Sequence, residues 1–192
     1  MHNQLLLLLA AVLPLTSATP SPQPTTTQAP SITKIASCAR TTHTVVAGSP
    51  GLRFDPDNIT AAPGSIIEFH FLPLNHSIIQ ASFAGPCQPK DSASFFSGFF
   101  PVSKSPDDSA AQSAEVFQIE VRDDTPIWFY CGQGRHCQSG MVGVVNQKVE
   151  TGNTLEVFRE EAGMVEESAG VQGIVQGGWR GQNPNPLDRL SA

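Results

Sequence analysis

Apolar residues in this chain come in short bursts rather than in helical stripes. Six segments, HTVVAG (43–48), SIIEFHF (65–71), SIIQAS (77–82), FQIEV (117–121), PIWFYC (126–131) and MVGVVN (141–146), are rich in β-branched and aromatic residues and are parted by Pro, Gly, Asp and Asn. That is the signature of strands divided by turns. Within SIIEFHF the alternation puts Ile67, Phe69 and Phe71 on one face and Glu68 and His70 on the other, which predicts a half-buried strand with His70 toward solvent. Short strands with no helical period between them predict an all-β fold, a Greek-key β-sandwich or barrel.

The pattern changes at both ends. After Asn146 it becomes helical: Asn153 is placed to cap, Glu156 stands at the third helical position, and Leu155, Phe158, Ala162 and Val165 form one apolar stripe, predicting a short C-terminal helix. Gly170 to Ala192 is rich in Gly, Gln, Asn and Pro and is expected to lack order. At the N-terminus an apolar run from Leu5 to Leu13 leads to Thr16, Ser17 and Ala18. This fits a signal peptide over 1–18 and falls short of the roughly 20 apolar residues that span a bilayer. Residues 19–33 are rich in Pro and Thr with no aromatic residue, the composition of an extended, O-glycosylated linker. The expected organisation is therefore signal peptide 1–18, linker 19–33, folded domain 34–149, and helix with polar tail 150–192. The polar ending NPNPLDRLSA shows no hydrophobic tail of the kind that directs a glycolipid anchor.

One long stretch, Gln88 to Glu115, carries little strand signal but holds the pairs Phe95–Phe96 and Phe99–Phe100. A loop of this length is functional or wraps the domain. Exposed aromatic clusters are uncommon on soluble proteins, so the rings are expected to pack onto one end of the sandwich rather than to form a docking patch.

With 192 residues, 40% hydrophobic and 15% charged, the chain has room for one globular core plus tails. A net charge of −6 with 11 scattered basic residues leaves no cluster to track a phosphate backbone, which excludes nucleic acid as the expected partner. Such a surface would instead steer a basic protein or a cation.

The candidate chemistry lies in Cys131, His136 and Met141, which follow one another at five-residue steps, and in His76 far upstream. Thiolate and thioether favour Cu(I), imidazole accepts either oxidation state, and a plane of two His and one Cys with a weak axial Met lets a copper ion change valence with little movement. Zinc also takes Cys and His, but structural zinc sites use more thiolates and no thioether. A multicopper oxidase needs more histidines than His43, His70, His76 and His136. Nucleophilic catalysis by Cys131 with His136 lacks an evident orienting group.

The NHS tripeptide around His76 and the run FYCGQGRHCQSGMVGVVN resemble the cupredoxin family, with the likeness nearest to plant phytocyanins and secreted fungal cupredoxin-like proteins. The resemblance covers roughly residues 36–148. It implies a Greek-key sandwich with one type 1 copper held by His76, Cys131, His136 and an axial Met141, with electrons passing at the edge of His136. Met141, where some phytocyanins have Gln, implies a higher reduction potential.

By the same resemblance Asn75, beside the first ligand, steadies the cysteine sulfur through a backbone amide, although Asn75-His76-Ser77 also reads as a glycosylation sequon. Asn58, in Asn58-Ile59-Thr60, is the better glycan acceptor. The family pattern further implies a Cys87–Cys137 disulfide, leaving Cys38 over: a buried or intermolecular thiol, or a partner that bridges Cys131 and abolishes the site. The resulting expectation is a secreted, monomeric blue copper protein, extracellular or held at the cell wall. It would be an electron carrier for an unidentified redox partner rather than an enzyme. A copper-binding wall protein without redox turnover and a metal-free module with a Cys38–Cys131 bridge are the alternatives.

Overall fold

The computed structural model describes residues 40–104, 111–169 and 173–184. The expected signal peptide, the linker and Cys38 lie outside the described residues. Among the described residues eleven strands appear in chain order: β1 Thr42–Ala47, β2 Phe54–Asp55, β3 Asn58–Ile59, β4 Ile66–Phe71, β5 Leu74–His76, β6 Ile79–Ala81, β7 Phe100–Val102, β8 Glu115–Glu120, β9 Ile127–Tyr130, β10 Val142–Val145 and β11 Trp179–Gln182; helix α1 spans Leu155–Met164. The six segments expected as strands correspond to β1, β4, β6, β8, β9 and β10. Most of the added strands hold two or three residues, too few for an alternation to register in sequence.

One sheet has the order β11-β8-β4-β1-β2, a second β3-β10-β9-β6, and β5 with β7 forms a separate ribbon. β1 runs parallel to β4 and β3 parallel to β10, the other pairings being antiparallel. Between the two large sheets lies a core in which Phe129 of β9 meets Phe54 at 5.1 Å and Phe69 edge-on at 5.3 Å, Phe69 in turn lying 6.3 Å from Phe117. Each ring buried in this way contributes about 2–3 kcal/mol by leaving water.

A second core forms on the other side of β9 and β10, where Trp128, Tyr130, Val142 and Val144 pack against Leu155, Phe158 and Ala162 of α1. The continuous apolar run of PIWFYC has its explanation here: β9 is covered on both faces.

His70 is not at the surface as the alternation suggested. It is 2% exposed and Glu68 3%. β4 is the central strand of its sheet, and residues 111–114 cross over its outer face: Ser113 N–H donates to the Phe71 carbonyl, and Gln112 Nε2 lies 2.7 Å from His70 Nδ1. His70 Nε2 donates to Glu68 Oε1 at 2.7 Å, and the Gln118 amide donates to the other Glu68 oxygen. The buried polar side chains satisfy one another, the condition for tolerating them away from water.

Two further expectations shift. The helix is capped by Thr154, whose hydroxyl accepts the Val157 N–H at 3.4 Å, not by Asn153; a hydroxyl one residue later serves the same orphan donors. The tail is not without structure throughout, because Trp179–Gln182 pairs with β8 as an edge strand. Ladder hydrogen bonds to β8 supply what the side chains of WRGQ do not announce. Of the Phe-rich stretch, Phe95, Phe96 and Phe100 are buried and Phe99 packs against the second core.

Gly143 lets β9 and β10 close. A Cβ there would lie 2.4 Å from the Phe129 ring and 3.0 Å from the Asp57 carbonyl. Gly143→Ala is therefore expected to lower unfolding stability by about 1–3 kcal/mol through overpacking; urea denaturation of the two proteins measures it, and an unchanged midpoint would refute the packing account.

Candidate metal centre

Three elements converge at one end of the sandwich. β5 delivers His76, the end of β9 delivers Cys131, and the turn that leads back into β10 carries His136 and Met141. Cys131 N–H donates to the Met141 carbonyl and Met141 N–H to the His136 carbonyl, while His136 N–H closes a turn on Gln133. This backbone pattern brings residues ten apart in sequence to one place. His76, Cys131 and Met141 are fully buried and His136 half-buried.

The side chains of His76, Cys131 and His136 form a group of potential ligands whose donor atoms all lie within 4.8 Å of one another. Cys131 Sγ is 3.4 Å from His136 Nδ1 and 4.0 Å from His76 Nδ1, and the two rings are 5.2 Å apart. Nitrogen and sulfur donors at ~2.0 and ~2.3 Å from a first-row ion at tetrahedral angles are ~3.6 Å apart, so the spacing suits a single ion. His76 Nε2 lies 3.3 Å from the Pro73 carbonyl; with the proton on that nitrogen, the Nδ1 lone pair faces Cys131. Gly48 makes room for this ring, since a Cβ at that position would be 2.8 Å from His76 Nε2.

Burial, and then the neighbouring His136, depress the pKa of His76 to about 4, and burial lowers that of His136. Both imidazoles are thus neutral and able to donate near pH 7. Burial pushes the Cys131 thiol up to about 11 against hydrogen bonds from Gln133 and Ser77, so its ionisation calls for a cation. Two neutral imidazoles and a buried thiol awaiting positive charge are a donor set that fits a copper ion.

Around the donors, sequence reasoning missed Ser77. Its N–H points at Cys131 Sγ at 3.4 Å, and its hydroxyl accepts the Gly132 N–H at 3.0 Å. The amide aimed at the sulfur is therefore that of Ser77, on the other side of His76 from Asn75. Asn75 lies inside the β5–β7 ladder opposite Pro101, whereas Ser77 lies just past its end. The Asn75 side chain instead donates from Nδ2 to Gln133 Oε1 at 2.8 Å, and its Oδ1 is buried without a partner. The tripeptide that marked His76 already held the signal for Ser77, a short hydroxyl next to a candidate ligand.

Cys87 and Cys137 are joined, with a Cα separation of 5.7 Å, and Cys131 is free. Cys38, the partner in the alternative bridge, lies outside the described residues. Asn58 is exposed on β3.

The chain resembles a curated cupredoxin in sequence. It is 33% identical over 124 residues, 65% of its length, to the Probable GPI-anchored cupredoxin-1 of Arthroderma benhamiae, and 32% identical over 137 residues, 71% of its length, to an Extracellular serine-rich protein of the same organism. The chain spans 60% and 50% of the length of these two relatives. Solved structures similar to it include the blue copper protein auracyanin A of Chloroflexus aurantiacus, at 15% identity and a TM-score of 0.38 over 55% of this chain and 97% of that one. Oxidised plastocyanin of Dryopteris crassirhizoma matches at 24% identity and 0.36 over 55% and 100%. No family model matches the chain.

The depressed histidine pKa values have a measurable consequence in the metal-free protein. His76 binds its proton near pH 6.5 when unfolded and near 4 when folded, so its contribution is complete above 6.5 and is lost as pH falls toward 4. Unfolding free energy should drop over that window by at most about 3 kcal/mol from this residue; a flat profile between pH 6.5 and 4 would contradict the burial of the ring.

Proposed function

We propose that this protein binds one copper ion in a type 1 site and serves as a secreted carrier of single electrons. The observation that carries the reading is the convergence of His76 Nδ1, His136 Nδ1 and Cys131 Sγ at ligand spacing within a cupredoxin-like fold. Bound copper would supply the reversible Cu(II)/Cu(I) couple. Met141, buried in the core beside Cys131, is assigned as the weak axial donor. His136 is the ligand nearest the surface and gives a redox partner its point of approach. Ser77, through its amide, shares charge with the thiolate and, through its hydroxyl, fixes the turn at Gly132. The acidic surface favours a basic partner, with an encounter rate that falls as salt rises.

The relatives' printed descriptions, one GPI-anchored and one extracellular, support an extracellular or cell-surface location for this chain. Among the described residues no helix is long and apolar enough to cross a membrane. Residues 1–18 are assigned as the signal peptide, 19–33 as the linker, 34–149 as the domain and 150–192 as its C-terminal extension. Asn58 is assigned as the site of an N-glycan. Asn75, whose Nδ2 is engaged by Gln133, is assigned as unmodified.

One equivalent of Cu(II) added to the purified protein should give an intense blue thiolate-to-copper band with narrow EPR hyperfine splitting. Cys131→Ser should abolish the band while circular dichroism stays that of the wild type. A colourless complex would overturn the type 1 assignment, and a blue complex with sluggish electron self-exchange would point to copper storage. Ser77→Ala, which keeps the amide and removes the hydroxyl that holds Gly132, should weaken copper binding by about tenfold, the scale of losing a contact that orients a ligand; competition with a chelator of known affinity measures it, and unchanged affinity would remove the Ser77 hydroxyl from the support of the site.

A further inference from the structure

Helix α1 ends at Met164, and residues 165–169 continue without regular structure. Their side chains give them little reason to lie where they do. Val165 packs against the second core, while Glu166 and Glu167 are exposed. Ordering such backbone costs about 1–2 kcal/mol per residue, so contacts made by other elements must hold it.

Those contacts come from around the metal centre. Arg135 Nη1 donates to the Glu166 carbonyl at 2.8 Å, and the Ser168 hydroxyl donates to Gln138 Oε1 at 3.0 Å. Arg135 and Gln138 flank His136 on the ligand loop. Ala169 N–H donates to the carbonyl of Cys87, the disulfide partner of Cys137, at 2.9 Å. The Ala169 carbonyl accepts the Tyr130 hydroxyl at 2.8 Å and lies 3.7 Å from where a Cβ on Gly132 would stand. The segment thus touches the chain on either side of Cys131 and on either side of His136. None of these bonds is made to a donor atom.

We propose that residues 165–169 are a strap that positions the 131–141 loop, holding Cys131 and His136 at ligand spacing before a metal arrives. The loop's own hydrogen bonds are those of turns; the Cys87–Cys137 disulfide and the bonds of Gly132 to Ser77 and of Gln133 to Asn75 hold it from one side, and the strap adds bonds at Arg135 and Gln138, next to His136. Tethering it at both flanks of His136 restricts the motion of the half-buried ligand. A site that changes valence works best when the protein holds one geometry for both states, and rigid support around the donors provides it. The purpose of the strap rests on the copper reading above; its geometry does not.

The test uses Arg135→Ala combined with Ser168→Ala, which removes two loop-to-strap bonds and alters no donor. In the metal-free protein, hydrogen exchange of the 132–140 amides should quicken about tenfold while β4 and β8 keep their protection. In the copper-loaded protein, extraction by a chelator should quicken about tenfold and the EPR hyperfine pattern should broaden, with Ser168→Thr, which keeps the hydroxyl, behaving as wild type. Wild-type exchange of the loop amides in the double variant overturns the proposal, as does unchanged extraction by the chelator. Should the double variant unfold, Tyr130→Phe, which removes only the hydroxyl bond to Ala169, is judged by the same two outcomes. A wild-type protein that never turns blue refutes the copper reading, and the metal-free exchange experiment still decides the strap.

Discussion

Burial of β9 on both faces is the constraint on which the remaining structure turns. Phe129 and Cys131 point into the core between the two large sheets, while Trp128 and Tyr130 point into the core beneath α1. A strand covered on one side only would leave one of these pairs in water. The C-terminal helix is therefore a third layer, and its removal would expose Trp128, Tyr130, Val142 and Val144 together. Covering the strand also withdraws Cys131 from solvent, and that withdrawal raises its thiol pKa and leaves the sulfur dependent on a cation to ionise.

From that anchoring follows the division of labour around the donors. Backbone bonds between Cys131 and Met141, and between Met141 and His136, fold the loop over the strand end. The Cys87–Cys137 bond fastens the loop to the chain that follows β6. Such a cross-link between residues 50 apart in sequence chiefly restricts the unfolded chain. Ser77 and Gly48 act at shorter range. One directs an amide at the sulfur, and the other leaves the space that the His76 ring occupies.

The Glu68–His70 pair follows a different logic. It lies on the face of β4 away from the aromatic core, beneath residues 111–114, and Gln112 and Gln118 complete its hydrogen bonds. A carboxylate and an imidazole in such a place are tolerable only because every partner is supplied. Nothing in the local sequence of β4 says that a later segment will cross over it.

By themselves, the residues determined the strand segments, the helix, the candidate donors His76, Cys131, His136 and Met141, and, through family likeness, the fold and the Cys87–Cys137 pairing. These are properties of local pattern: period-2 alternation, a capped apolar stripe, and ligand types at fixed spacing along one loop. Only the tertiary structure decided that His70 is buried, that Thr154 caps the helix, that WRGQ forms an edge strand, and that Ser77 rather than Asn75 turns its amide to the sulfur. It also decided that residues 165–169 lie against the 131–141 loop. Each of these depends on a partner many residues away, and burial, pairing and hydrogen-bond supply are properties of the assembled neighbourhood that no window of sequence contains.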